Sequence, residues 1–337
     1  MASILRRAAR KIGLGHVIRI LLKTDDRLDA RPKLLPARPR STPTRYLSIA
    51  AIFKDEAPYL AEWLEFHRLV GVEHVYLYDN GSTDSPCTFL EPYIREGFVS
   101  VIPWAFPWLR YLDYQCIAYA HAIVNFGIHW RWMAFIDIDE FLFPVEGNSL
   151  PATLAQYESL PSVAAYWKIY GFNGHESPPL GLTIENYTKP TASGLPVYPK
   201  SIVDPSKVIG IESPHMFNFA EGRRIVYDEQ KRLRHLEGEH GPSNILRLNH
   251  YVTRSREEFA AKLAKWDQAD LKHGDRRRRQ TPLLEEGAFP DDTILRFVPE
   301  VKQRLRDRAG HNLEKSDAST AQAGARIRKP RREAGTF

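Results

Sequence analysis

The chain alternates between apolar runs and short clusters of turn formers. Tyr46 to Phe53 is an apolar, β-prone run that ends at Lys54-Asp55-Glu56. Pro58 to Val70 then sets Leu60, Trp63, Leu64, Phe66 and Leu69 at helical spacing. Val75-Tyr76-Leu77-Tyr78 is a second β-prone run, and it stops at Asp79-Asn80-Gly81-Ser82-Thr83-Asp84. The order strand, polar loop, helix, strand, polar loop predicts a right-handed βαβ unit. Such a unit carries both polar loops at the carboxyl edge of a parallel sheet, where open α/β sheets bind ligands. Asp79 and Asp84 are then placed to hydrogen-bond a ribose or a base. An Asn-Gly hairpin turn with solvated aspartates is the alternative.

A third apolar run, Met133 to Ile136, ends in Asp137-Ile138-Asp139-Glu140, and Phe141-Leu142-Phe143 follow at once. Three carboxylates in four residues do not belong inside a buried strand, because desolvating unpaired charge costs several kcal/mol or more. They belong at its end. In an extended chain residues i and i+2 point the same way, so Asp137 and Asp139 converge on one point while Glu140 faces away. Two hard oxygen ligands at one point suit Mg²⁺ or Mn²⁺ beside substrate phosphates. This is the Asp-X-Asp arrangement of metal-dependent nucleotide-sugar transferases; a strand-capping acidic turn is the plainer reading.

Downstream, Leu150 to Leu160 reads as a short helix and Ser162 to Phe172 as a strand that ends at Asn173-Gly174-His175-Glu176. Leu246 to Val252 is a strand-like run containing His250, whose imidazole is an acceptable ligand for Mn²⁺. Ser255 and Glu258 form a capping box at the start of a helix carrying Phe259, Leu263 and Trp266. That helix leads to Arg276-Arg277-Arg278-Arg279, a basic run that is either solvated or able to close over a diphosphate.

Charge divides the chain in three. The net charge is +6, but residues 1–45 carry +9 and residues 302–337 carry +6, which leaves −9 on residues 46–301. Nucleic-acid binding calls for a basic face on the folded part, so it is not expected here. Arg31 to Thr44 holds four prolines and reads as a linker, and Lys315 to Phe337 reads as disordered. Residues 1–45 are therefore a basic helix and linker, 46–301 the folded domain and 302–337 a tail. Within residues 1–23, Ile4, Leu5, Ala8, Ile12, Val17, Ile20 and Leu21 share a helical face and basic residues lie mostly elsewhere. A helix of that kind either rests on an anionic membrane surface or packs on the domain. An apolar content of 43% supports a sizeable core. Cys87 and Cys116 make no disulfide framework, and no run nears the roughly 20 apolar residues of a membrane span. A cytoplasmic protein is the expectation, peripheral at the inner face of the cell membrane if the N-terminal helix takes the first of those two places.

Four blocks then occur in order: Lys54-Asp55-Glu56 with Glu62 to His67, Tyr78 to Asp84, Gln115 ahead of Trp132 to Phe141, and Phe172 to His175. Pro214-His215-Met216-Phe217 and Asn249-His250-Tyr251 come later, the latter followed by Ser255 to Phe259 and Lys262. Together, across roughly Tyr46 to Asp275, they resemble the glycosyltransferase family 2-like proteins grouped with family 92. Asp55 stands where that family more usually has an asparagine. The resemblance implies an α/β GT-A fold with a mixed central sheet flanked by helices. It implies a UDP-sugar donor, with galactose the favoured hexose, and a glycan or lipid-linked glycan acceptor. The matching positions imply donor binding by Lys54, Glu56, Asp79, Asn80, Asp84, Gln115 and Asp137, and metal ligation by Asp137, Asp139 and His250. In that fold the strand ending at Phe172 sits beside the metal-bearing strand, so Glu176 is a candidate general base; His215, Glu212 and Asp267 are others.

Two functions fit this reading. One is a metal-dependent, inverting glycosyltransferase. The other is a catalytically inactive nucleotide- or glycan-binding protein on the same fold. A phosphotransferase is disfavoured because there is no Walker-type Gly-rich Lys-Ser/Thr loop.

Overall fold

The computed structural model describes residues 42–310 apart from 106–110, 193–197, 221–224, 236–240, 270–280, 286 and 288. The expected N-terminal amphipathic helix, nearly all of the linker, the four-arginine run and the tail beyond 310 lie outside the described residues.

The first half is the expected α/β unit. Strand β1 (Arg45–Phe53), helix α1 (Ala57–Leu69), strand β2 (His74–Asp79), helix α2 (Cys87–Arg95) and strand β3 (Val99–Pro103) follow one another. Helix α3 (Tyr111–Phe126) leads to β4 (Trp130–Phe135). Strand β1 pairs in parallel with β2 on one side and β4 on the other, and β2 pairs in parallel with β3. Successive side chains of β1 point to opposite faces. Leu47, Ile49, Ala51 and Phe53 enter a core shared with Leu60, Trp63 and Leu64 of α1. Ala50 and Ile52 enter a second core shared with Ala118, Tyr119 and Ala122 of α3. A near-continuous apolar strand is what burial on both faces requires.

The second half mixes directions. It contains β5 (Glu140–Pro144), α4 (Leu150–Leu154), β6 (Ser162–Ile169), α5 (Thr183–Asn186), β7 (Pro199–Val203) and the hairpin of β8 (Val208–Ser213) with β9 (Met216–Phe219). A small pair, β10 (Ile225–Tyr227) and β11 (Leu233–His235), precedes β12 (Leu246–His250) and helix α6 (Arg256–Ala269). The main sheet has eight strands in the order β3-β2-β1-β4-β7-β6-β12-β5. The α/β class, with a mixed sheet flanked by helices, is as expected.

Three particulars differ from expectation. First, β6 is not the neighbour of β4. Strand β7 lies between them and pairs antiparallel with both. Second, Asp137 to Glu140 is not extended: the Glu140 N–H donates to the Asp137 carbonyl at 3.1 Å and closes a turn. A turn abolishes strand alternation, so Glu140 is not directed away from the aspartates. Third, the packed chain runs past 301. A helix α7 spans 298–310, Val301 is buried in the main core, and Arg308 pairs with Glu65 at 2.7 Å and with Glu96 at 2.8 Å. The basic residues of that stretch are therefore partly structural.

Helix α1 fixes the strand that leaves the acidic turn. The Trp63 indole N–H donates to the Glu140 carbonyl at 2.8 Å. His67 donates from Nδ1 to the Trp63 carbonyl at 2.8 Å and accepts at Nε2 from the Leu142 N–H at 3.2 Å. Both bonds need a neutral imidazole, and complete burial pushes its pKa down to about 3. The folded pKa lies below the unfolded value of about 6.5. Protons therefore favour the unfolded chain, and this contribution to stability is full above about pH 6.5 and lost as pH falls toward 3. His67→Gln is expected to flatten the pH dependence of unfolding free energy between pH 4 and 6 by one proton, about 1.4 kcal/mol per pH unit. Denaturant titrations across that range check this; equal slopes in the two proteins would refute it.

Candidate active site

The loops after β1 and β2 are tied to each other at the carboxyl edge of the sheet. The Asp55 N–H donates to Ser82 Oγ at 3.1 Å, and Asp55 Oδ1 accepts from the Thr83 N–H at 2.8 Å. Asp84 Oδ2 accepts from the Ala57 N–H at 2.8 Å and so caps α1 from the neighbouring loop. Asp79 Oδ1 accepts from the Ser82 N–H at 2.8 Å, which closes its own loop. Asp79 and Asp84 therefore hold loop shape, though Asp84 Oδ1 is buried without a hydrogen-bond partner among the described residues. Asn80 donates to the Tyr114 hydroxyl at 3.0 Å. Lys54 is exposed at the end of β1. Glu56 accepts from Arg254 at 2.9 Å, and the Arg254 guanidinium lies 3.3 Å from the centre of the Tyr59 ring.

The acidic turn sits where β4, β5, β6, β7 and β12 meet. Asp137 Oδ1 accepts from Gln115 Nε2 at 3.1 Å, and Oδ2 accepts from Lys200 Nζ at 2.7 Å. Asp139 Oδ2 accepts from Lys262 Nζ at 2.5 Å, and Oδ1 lies 3.5 Å from His250 Nε2. Glu140 is fully buried; Oε2 accepts from the Asp137 N–H at 2.9 Å and Oε1 from the Trp167 indole at 2.6 Å. Lys200 Nζ is also 3.7 Å from Glu140.

These surroundings set the charges. Burial pushes the Asp139 carboxyl up, but Lys262 and His250 outweigh it and hold the pKa well below the carboxylate range. Burial also dominates at Glu140. Lys200 opposes it while Asp137 and Asp139 add to it, and the pKa rises to about 8. Burial lowers the pKa of His250 against the pull of Asp139, so the imidazole is neutral.

Asp139, Glu140 and His250 bring one ligand atom each within 4.8 Å of one another. Donors on a single small ion stand up to about 4–5 Å apart, twice a metal–oxygen distance. His250 Nδ1 is buried without a hydrogen-bond partner among the described residues. Two carboxylates and a neutral imidazole are the oxygen-rich set that Mn²⁺ or Mg²⁺ takes. The residues present therefore fit such an ion. Of the three residues expected as ligands, Asp139 and His250 lie in this cluster; Glu140 is its third member, and the Asp137 carboxylate accepts from Gln115 and Lys200.

The candidate bases separate. The Glu176 side chain is 80% exposed, pairs with Arg256 at 3.2 Å and lies in the loop abutting the start of α6. Glu212 accepts from Asn218 at 3.3 Å within the β8–β9 hairpin. The side chain of Asp267 lies outside the described residues. His215, at the tip of that hairpin, donates from Nδ1 to the Pro199 carbonyl at 3.0 Å, which leaves Nε2 with its lone pair. Its ring lies 5.1 Å from Trp167, itself 4.5 Å from His250. Burial, then Lys200, pushes the His215 pKa down to about 3. Sequence reasoning missed the roles of Glu140, Lys200, Lys262 and Trp167. The Asp-Glu pair before an apolar run was a signal for Glu140; a lysine in a five-residue strand gave none.

Comparison with known proteins follows the same lines. Residues 46–281 match the family model of glycosyltransferase family 92. A family 92 protein of Oryza sativa subsp. japonica is 25% identical over 272 residues, 77% of this chain and 43% of that protein. One of Ricinus communis is 25% identical over 298 residues, 85% and 50% of the two chains. One of Arabidopsis thaliana is 30% identical over 191 residues, 52% and 32%. The chain spans about half the length of the first two. Among solved structures, S. aureus TarS 1-349 in complex with UDP is 16% identical with a TM-score of 0.30, covering 48% of this chain and 47% of that one. The mannosyltransferase PcManGT from Pyrobaculum calidifontis, in complex with GDP-Man and Mn²⁺, is 16% identical with a TM-score of 0.26 over the same shares. With about seven-tenths of its length inside the family match, the chain belongs to glycosyltransferase family 92.

Proposed function

We propose that the protein is a metal-dependent, inverting glycosyltransferase. It moves a hexose, galactose first, from a UDP-sugar to a hydroxyl of a glycan or glycolipid. One observation carries the reading: Asp139, Glu140 and His250 converge within 4.8 Å, beside Asp137, in a chain of family 92. The donor lies across the carboxyl edge of the parallel strands, where open sheets bind ligands. Its base and ribose meet the knitted loops at 54–56 and 79–84, and its diphosphate meets the acidic turn. Asp139, Glu140 and His250 hold the divalent ion, which when bound neutralises charge on the departing nucleoside diphosphate. Gln115 and Lys200 fix Asp137 toward the donor.

The acceptor oxygen attacks the anomeric carbon as the bond to the diphosphate oxygen breaks, and the configuration inverts. His215 Nε2 takes the hydroxyl proton. A base this weak accepts the proton only as attack makes the hydroxyl acidic, so transfer accompanies bond formation. Its pinned Nδ1 supports His215 over Glu176, whose carboxylate is engaged by Arg256 at the surface.

Three outcomes are expected. Asp139→Asn should abolish Mn²⁺-dependent UDP binding and lower turnover by more than the 10–100-fold typical of residues that only support a metal ligand. Calorimetry and UDP-release assays with and without EDTA read this; full activity in EDTA would refute metal dependence. His215→Ala should lower kcat about 10²–10⁴-fold, the span of general-base catalysis, and leave UDP-sugar affinity unchanged. An equal loss of affinity would assign His215 to donor binding instead. Finally, UDP should bind more tightly than GDP or CMP in Mn²⁺, and UDP-galactose should turn over fastest in a donor panel. Tighter GDP binding, or nucleotide binding with no turnover of any donor, would overturn the assignment.

A further inference from the structure

Two lysines neutralise the acidic turn, and they differ in exposure. Lys200 projects from β7 and its side chain is only 2% exposed; it bridges Asp137 at 2.7 Å and Glu140 at 3.7 Å. Strands on both sides enclose it. Lys262 comes from α6 at the solvent edge, and its side chain is 28% exposed. Its Nζ lies 2.5 Å from Asp139 Oδ2, on one of the three residues that fit a divalent ion. One turn further on, Lys265 reaches from the same helix to Asp55 Oδ2 at 3.1 Å and is 54% exposed. Helix α6 is thus laid by two charge contacts across both carboxylate-bearing loops, that after β1 and that after β4.

An ammonium 2.5 Å from the Asp139 carboxylate repels a divalent ion bound to the same group, so the two compete for it. The lysine stem is long and freely rotating, and its ammonium is a point charge that serves phosphate as well as carboxylate. An ammonium leaving Asp139 would remain within reach of any diphosphate held by the ion.

We propose that Lys262 is a tethered counter-ion: it occupies Asp139 in the empty site, yields that oxygen to the divalent ion, and then pairs with the nucleotide's diphosphate. The inference rests on the metal and nucleotide reading above and adds to it a coupling between the two ligands through one side chain. In the empty site Lys262 competes with metal; in the loaded site it supports the nucleotide. Lys262 is a positioning residue for both ligands, and its removal has opposite effects on them.

The test uses the full chain with Lys262→Met and Lys262→Arg, and Lys262→Gln as a second neutral variant should the methionine form fail to fold. Calorimetry measures Mn²⁺ binding without nucleotide, then UDP binding at saturating Mn²⁺. An opposite charge at this distance changes a carboxylate's proton affinity by about one to three powers of ten, so the neutral variants should bind Mn²⁺ at least about tenfold more tightly. They should bind UDP at least about tenfold more weakly, and Lys262→Arg should restore UDP binding. A merely structural lysine would not move the two affinities in opposite directions. Unchanged or weaker Mn²⁺ binding by the folded neutral variants overturns the inference alone, as does unchanged UDP affinity. Absence of Mn²⁺ binding by the unmutated protein, with UDP present, overturns the metal reading itself and the inference with it.

Discussion

The structure is organised around the cost of enclosing three carboxylates in one turn. An unpaired buried charge costs several kcal/mol, so the turn at Asp137 to Glu140 exists only because partners reach it from distant parts of the chain. Lys200 arrives from β7, Lys262 from α6, His250 from β12 and the Trp167 indole from β6. Glu140 shares Lys200 with Asp137, at the longer distance of 3.7 Å. Burial, with the neighbouring aspartates adding to it and Lys200 opposing it, raises its pKa to about 8. The second half of the sheet brings these partners to the carboxyl edge set up by the first half.

Helix α1 supplies the complementary constraint. Its inner face is not purely apolar: Glu62, Trp63 and His67 are buried among the leucines. Each polar group is used. Glu62 accepts from the Thr183 and Ile184 N–H groups at 2.9 and 3.0 Å, and so anchors the start of α5. Trp63 and His67 hold the backbone of β5 at Glu140 and Leu142. A buried polar atom left without a partner costs about 1–3 kcal/mol, so these contacts fix register as well as position. The Glu-Trp-Leu-Glu-Phe-His block is thus a structural clamp behind the site.

This separates what was legible in the sequence from what was not. The β1-α1-β2 unit was legible because burial on two faces leaves near-continuous apolar strands and a 3.6-residue period between them. The Ser255–Glu258 capping box was legible because it is local, and both of its bonds form. Asp139 and His250 could be read as partners only through family resemblance, since 111 positions separate their numbers. The turn at Asp137 was misjudged as extended because strand alternation is a property of the chain before the turn, whereas the Asp137–Glu140 hydrogen bond belongs to the turn itself. Lys200 was invisible for a different reason. Its strand is short, and its lysine is tolerated there only because Asp137 and Glu140 face it, which is a fact of tertiary structure.

Asp55 shows how local geometry and charge balance jointly decide a single position. Its φ is 54°, in the left-handed region that asparagine and aspartate tolerate better than most side chains. An aspartate meets that requirement. The additional charge does not stand open to a nucleotide. Burial raises the Asp55 pKa, but the Thr83 N–H, the Lys265 ammonium and the Thr83 hydroxyl more than offset this and lower it. Since Lys265 and Lys262 share α6, the aspartate adds a second electrostatic latch to the helix whose other lysine lies on Asp139. The aspartate is therefore part of the contact that lays α6 across the site.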